Sequence, residues 1–150
     1  LFLKGSMAAG VAGVAASAGL LTPQMVLAAW PQAAFDAKSV SDALTAAVGG
    51  GDAAESGDIK IKAPDIAENG AVVPVTVSTG MGGVASISIL ADQNATPLTS
   101  SFNLAGNTVP FVSTRIKMGK TANVIAVVKA DGKLYSAKKE VKVTIGGCGG

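Results

Sequence analysis

The chain closes on Gly146-Gly147-Cys148-Gly149-Gly150, and Cys148 is its one cysteine. Glycine maximises backbone freedom and offers no side chain to a core, so four of them around Cys148 argue against a packed, structural thiol. The expectation is an exposed sulfur on a thin leash. Cys148 stands three residues beyond Ile145, so at roughly 3.3–3.6 Å per residue it can sit about 10 Å off the end of the last strand. Gly146, Gly147, Gly149 and Gly150 would make that leash a flexible arm, slim enough to enter a narrow channel on another protein. Bulky neighbours would block the same entry.

A free thiol has a pKa of about 8.5 and is only a few per cent thiolate near neutrality. No basic residue lies nearer to Cys148 in sequence than Lys142. Activation must then come from a partner's site, which makes Cys148 a handle to which something is attached and leaves the chain with no catalytic residue of its own. Three other fates compete: a buried cysteine, an intermolecular disulfide, and a metal-binding tail with Met81 or Met118. The metal tail is poorly supported, because one thiolate and distant thioethers do not make a coordination set. Neither a metal nor a cofactor is expected.

The composition removes other chemistries. Histidine is absent, which excludes Ser-His-Asp and Cys-His schemes and the commonest metal ligand. A single cysteine can form neither an intramolecular disulfide nor a cysteine zinc cluster. Twelve basic against ten acidic side chains leave a formal charge of +2, and aromatics make up 4% of the residues. That is too little positive charge and too few stacking platforms for a nucleic-acid binder. Asp58, Asp65 and Glu68 are scattered beside turns and read as solvated acids. Arg115 could pair with an acid inside the domain or across an interface.

The elements that must hold the tail follow from periodicity. Residues 1–29 carry one charge, Lys4, then an Ala/Gly-rich apolar run and a small-residue exit at Ala28-Ala29. This reads as an export signal placing the protein in the periplasm, with cleavage after Ala29. The run is too weakly hydrophobic for a stable membrane anchor. Leu1-Phe2-Leu3-Lys4 resembles part of a twin-arginine signal whose arginine pair would precede Leu1. Residues 30–57 are expected to form a short amphipathic helix from Pro31 to Val48, carrying Phe35, Val40, Leu44 and Val48, and a linker opened by Gly49-Gly50-Gly51.

From residue 58 to 145 the period changes to two. Ile59 and Ile61 alternate with lysines, Val73, Val75 and Val77 with Pro74, Thr76 and Ser78, and Ile87 and Ile89 with serines. Pro74 lacks a ladder donor, which points to an edge strand or a bulge. Glu68-Asn69-Gly70 marks a turn, Asp92 to Pro97 a polar connection, and Met81-Gly82-Gly83 a mobile loop. A strand is expected to begin at Phe102, another to run from Pro110 to Lys117, and a central one from Thr121 to Lys129. Asp131-Gly132 is a two-residue hairpin signal before Leu134 to Ala137. Lys138-Lys139-Glu140 reads as a solvated junction ahead of a last strand over Val141, Val143 and Ile145. About seven short strands without a second long helix predict an all-β, immunoglobulin-like antiparallel β-sandwich with a short N-terminal helix and the 146–150 arm. A small barrel is the competing fold.

The Gly-Gly-Cys-Gly-Gly terminus on Val141-Lys142-Val143-Thr144-Ile145, the block from Ala63 to Val75, and Ser113-Thr114-Arg115-Ile116-Lys117-Met118 together resemble the SoxY family of sulfur carriers. The resemblance implies a subunit that dimerises with SoxZ and bears substrate as a cysteine S-thiosulfonate on Cys148. It further implies that the SoxXA cytochrome joins thiosulfate to that thiol, that SoxB releases sulfate, and that SoxCD, where present, oxidises the remaining sulfane sulfur. A disulfide between two copies through Cys148 is a further expectation. The rival reading is an exported immunoglobulin-like interaction module whose terminal cysteine only forms such disulfides.

Overall fold

The computed structural model describes residues 31–144. The expected N-terminal helix is two: α1 over Gln32–Asp36 and α2 over Val40–Val48. The five-residue step from Phe35 to Val40 marks the break, because Ser39 turns extended and caps α2, its hydroxyl accepting from the Asp42 N–H at 3.1 Å. Gly49 ends α2 in the left-handed conformation, at φ 82°, as an easy glycine exit requires.

Among the described residues nine strands follow: β1 Ala54–Glu55, β2 Ile59–Lys62, β3 Ile66–Ala67, β4 Val73–Thr79, β5 Val84–Ala91, β6 Leu98–Asn103, β7 Phe111–Ile116, β8 Ala122–Ala130 and β9 Lys133–Val143. One sheet runs β1-β9-β8-β5-β6, with β3 also on β9; the other runs β2-β4-β7. Two separate sheets make a sandwich, which disposes of the barrel. All pairings are antiparallel except the two-residue additions of β1 and β3 to the outer edge of β9.

Alternation decides which side chains meet between the sheets. Ile87 and Ile89 of β5, Val124, Ala126 and Val128 of β8, and Val141 of β9 face Val73, Val75 and Val77 of β4 and Val112 and Ile116 of β7 in one buried cluster. The opposite face of the large sheet supplies Leu90, Leu98 and Val127, and there Ala34 of α1 and Ala43 and Leu44 of α2 pack. Thus β8 is covered on both faces, as its continuous apolar run requires.

Several expectations need correction. Pro74 sits in β4, the central strand of its sheet, but β2 ends at Lys62 opposite Thr76, so no strand lies beside Pro74 on that side. The missing N–H therefore breaks no ladder there. β6 begins at Leu98, not Phe102, because polar Thr99, Ser100 and Ser101 hide the alternation. Lys138-Lys139-Glu140 is no junction: β9 runs unbroken through it. Lys139 lies on the side of β9 that carries Ala137 and Val141, and its ammonium reaches out to the Ala63 carbonyl at 2.6 Å and the Asp65 carboxylate at 3.1 Å. The Asp131-Gly132 hairpin forms as expected, with φ 50° and 76° at its two residues.

Candidate functional site

The tail leaves from the end of β9, and that end is held on both sides. Toward β3, the Lys142 N–H donates to the Asp65 carbonyl at 3.0 Å and the Thr144 N–H to the Ala67 carbonyl at 3.2 Å. Toward β8, the Val143 N–H donates to the Thr121 hydroxyl at 2.9 Å. Beneath them Val141 is wholly buried opposite Ala122. Backbone hydrogen bonding therefore continues to Thr144, one residue past the end of β9. Cys148, Gly146, Gly147, Gly149 and Gly150 lie outside the described residues. Three residues separate Thr144 from Cys148, so the four Cα-to-Cα steps give a contour length of about 13–14 Å.

The register brings other segments to the same end of the sandwich. β8 starts beside the close of β9, and Ala91 at the close of β5 pairs with Val124. The turn from β5 to β6 and the connection from β7 to β8 consequently face one another. Asn94 ties them together: its amide nitrogen donates to the Lys117 carbonyl at 2.7 Å, and its amide oxygen accepts from the Gly119 N–H at 3.1 Å. Asp92 locks the turn to β8, accepting from both the backbone and the side-chain amide of Asn123 at 2.9 Å. Between turn and connection runs a groove of 510 Å³, lined by Gln93, Asn94, Ala95, Thr96, Lys117, Gly119 and Lys120.

Lys117 and Lys120 were invisible to reasoning along the chain, which counted Lys142 as the nearest base to Cys148. Lys120 comes beside the end of β9 only through the pairing of β8 with β9 and the bond from Val143 to Thr121, and no local signal marks it. The remaining candidates disperse. Asp65 serves Lys139, and no cluster of three or more metal-ligating side chains exists among the described residues. Met118 is wholly buried in the core and Met81 packs against it, so Met118 is not free to ligate a metal with the tail. Arg115 is exposed on β7 and makes no ion pair among the described residues, which removes its intradomain option there. The Met81-Gly82-Gly83 loop, expected to be mobile, is pinned at one end: Gly83 has φ 68° and its carbonyl accepts the Asp131 N–H at 3.1 Å. No helix among the described residues is long and apolar enough to cross a membrane.

The model of the family described as sulfur oxidation protein SoxY matches residues 44–148, a span that reaches Cys148. The chain belongs to the SoxY family. The sulfur carrier protein SoxY from Chlorobium limicola f thiosulfatophilum has a similar structure, with a TM-score of 0.65 and 48% sequence identity over 77% of this chain and 100% of that one. A superoxide reductase (neelaredoxin) from Ignicoccus hospitalis, with a TM-score of 0.51 and 23% identity over 57% of this chain and 78% of its own, shares the fold alone. No curated protein matches the sequence.

Proposed function

We propose that this chain carries intermediates of thiosulfate oxidation covalently on Cys148 and presents them to partner enzymes on the 146–150 arm. Its role as a sulfur carrier in the Sox system follows from its family; the attachment residue, the partners and the compartment are the reading added here. The observation that carries it is the braced end of β9, which fixes the origin of a short tail whose only reactive atom is the Cys148 sulfur.

The chemistry balances without any other side chain of this subunit. Joining the Cys148 thiolate to the sulfane sulfur of thiosulfate forms one S–S bond and releases two electrons, which the SoxXA cytochrome would accept. Water then cleaves the terminal S–S bond under SoxB, giving sulfate, two protons and a persulfide anion on Cys148. SoxCD, where present, would oxidise that sulfane sulfur. SoxZ would be the stable partner, and the periplasm the compartment. The absence of histidine from the whole chain suits a subunit that carries while others catalyse.

A reconstituted thiosulfate-oxidising system supplies the test. Replacing the wild-type chain by Cys148→Ser should abolish turnover while leaving the thermal unfolding midpoint unchanged. Continued turnover with the serine variant would refute the assignment.

A further inference from the structure

The two outer faces of the sandwich carry opposite charge. On the large sheet that face is covered by α1 and α2, and the segment from Pro31 to Gly57 exposes four acids, Asp36, Asp42, Asp52 and Glu55, against one base, Lys38. The outer face of the β2-β4-β7 sheet is open to water and carries bases alone. Register lays Lys60 and Phe111 on either side of Ser78, and Lys62 and Ser113 on either side of Thr76. Arg115 lies beside Pro74, past the end of β2. Lys60, Lys62 and Arg115 are the charged residues of these three strands. None of the three has an ion pair among the described residues.

Solubility does not ask for this arrangement. An exposed sheet face stays soluble with both signs interspersed, whereas same-sign neighbours repel. Lys60 and Lys62 are two residues apart on one strand, about 7 Å, and no acid of the three strands relieves them. Phe111 is 56% exposed on the same face, and Val109, just ahead of β7, is 75% exposed. Exposed aromatic and arginine side chains are what protein interfaces are enriched in. The chain's formal charge of only +2 makes it a weak ligand for a polyanion. Opposed acidic and basic faces instead orient a charged protein as it approaches. The charged rows span about 10 Å across the strands and 13 Å along them. So small a centre suits a short-lived encounter rather than a permanent subunit contact.

We propose that the outer face of the β2-β4-β7 sheet is where partner enzymes recognise this carrier, and that the surface they bring to it is rich in carboxylates around an apolar seat for Phe111. The proposal rests on the carrier reading. Attraction at Lys60, Lys62 and Arg115 draws an enzyme onto this face, and the acidic helix side turns it away from the other.

The test is the turnover of a reconstituted thiosulfate-oxidising system in which the full chain is limiting. Lys60→Glu/Lys62→Glu/Arg115→Glu should lower kcat/KM for the carrier by about tenfold or more at low salt, with kcat at saturating carrier unchanged. Glutamine at the same positions should give a smaller loss in the same direction. The wild-type kcat/KM should fall with added salt, as the Debye length shortens toward about 3 Å at 1 M, and the glutamate variant should lose that dependence. Lys38→Glu/Lys133→Glu/Lys138→Glu changes the total charge equally at exposed residues elsewhere and should behave as wild type. A carbodiimide, which joins an ammonium to a carboxylate as an amide with loss of water, should link Lys60 or Lys62 to an Asp or Glu of a partner enzyme. It should do so in the Cys148→Ser chain as well.

Equal losses in the two triple glutamate variants would reduce the effect to net charge and overturn the proposal. A reversed face that matches wild type at every salt concentration would overturn it too, as would cross-links confined to other lysines. Links only between two copies of this chain would make the face a self-contact and count against it likewise. Because linking in the Cys148→Ser chain needs no cargo, the two readings fail separately. Enzyme linked at Lys60 or Lys62 with turnover persisting in that variant would refute carriage and leave the docking face standing; abolished turnover with no such link would do the reverse.

Discussion

Val143 donates its backbone N–H to the hydroxyl of Thr121 at 2.9 Å, and this bond joins the last turn of β9 to the connection that carries Lys120. Two features of the molecule meet in it. The bond extends order in β9 beyond its final ladder pair with β8, Val141 with Ala122, and it sets the tail's origin beside the groove.

Thr121→Val removes the acceptor and keeps the shape. Because the site is open to water, the loss of stability should be no more than about 1 kcal/mol. The local effect should be larger: amide hydrogen exchange at Val143 should quicken several-fold while that of Val141 stays unchanged. Unaltered exchange at Val143 would show that the hydroxyl does not hold the strand end.

Asn94→Ala deletes both bonds that span the groove. The expected cost is about 1–2 kcal/mol, one modest net contribution for each hydrogen bond, measurable by urea unfolding. Gly119 should lose its amide protection in the same variant. A cost near zero with Gly119 still protected would mean that the β7–β8 connection holds its shape without Asn94.

Ile89 is wholly buried between the sheets, and Ile89→Ala should cost about 2–5 kcal/mol through lost burial and the cavity left behind. The neighbouring glycines give a sharper contrast. Gly83 has φ 68°, and a methyl added there would overlap the Asp131 carboxylate, whereas one at Gly82 meets nothing within 4 Å. Gly83→Ala should therefore destabilise by about 1–3 kcal/mol and Gly82→Ala by well under that. Equal effects at the two positions would contradict the pinned loop.

Gly146→Pro and Gly147→Pro test the arm as an arm. Neither site supports the core on this account, so the unfolding free energy should move by less than about 0.5 kcal/mol. Restricting the backbone should nonetheless slow turnover with partner enzymes by tenfold or more, an effect of the size that a misplaced reacting atom produces. Unchanged turnover would argue that glycine freedom plays no part.

How much of this was legible along the chain varies with how local the cause is. The hairpin at Asp131-Gly132 and the strands around Val75, Ile87 and Val124 declare themselves by turn chemistry and period-two alternation. So does the stop at Gly49. β1 and β3 escape because two residues carry no period; they exist only as additions to the edge of β9. Lys139 misled because its charge interrupts an apolar alternation, while its partners, the Ala63 carbonyl and Asp65, lie some 75 residues away in sequence. The candidate site divides the same way. Cys148 is conspicuous from its glycines alone, but the groove needs the β8–β9 register and the Asn94 bridge before its lysines come together.

The most direct test of the central claim is the intact mass of this chain, isolated without reductant from cells growing on thiosulfate. The account predicts a population heavier than the bare polypeptide by sulfur and sulfonate groups, mapped to Cys148 by peptide fragmentation and removed by reductant. A Cys148 found only as free thiol or as a disulfide between two copies, while thiosulfate is being consumed, would contradict it.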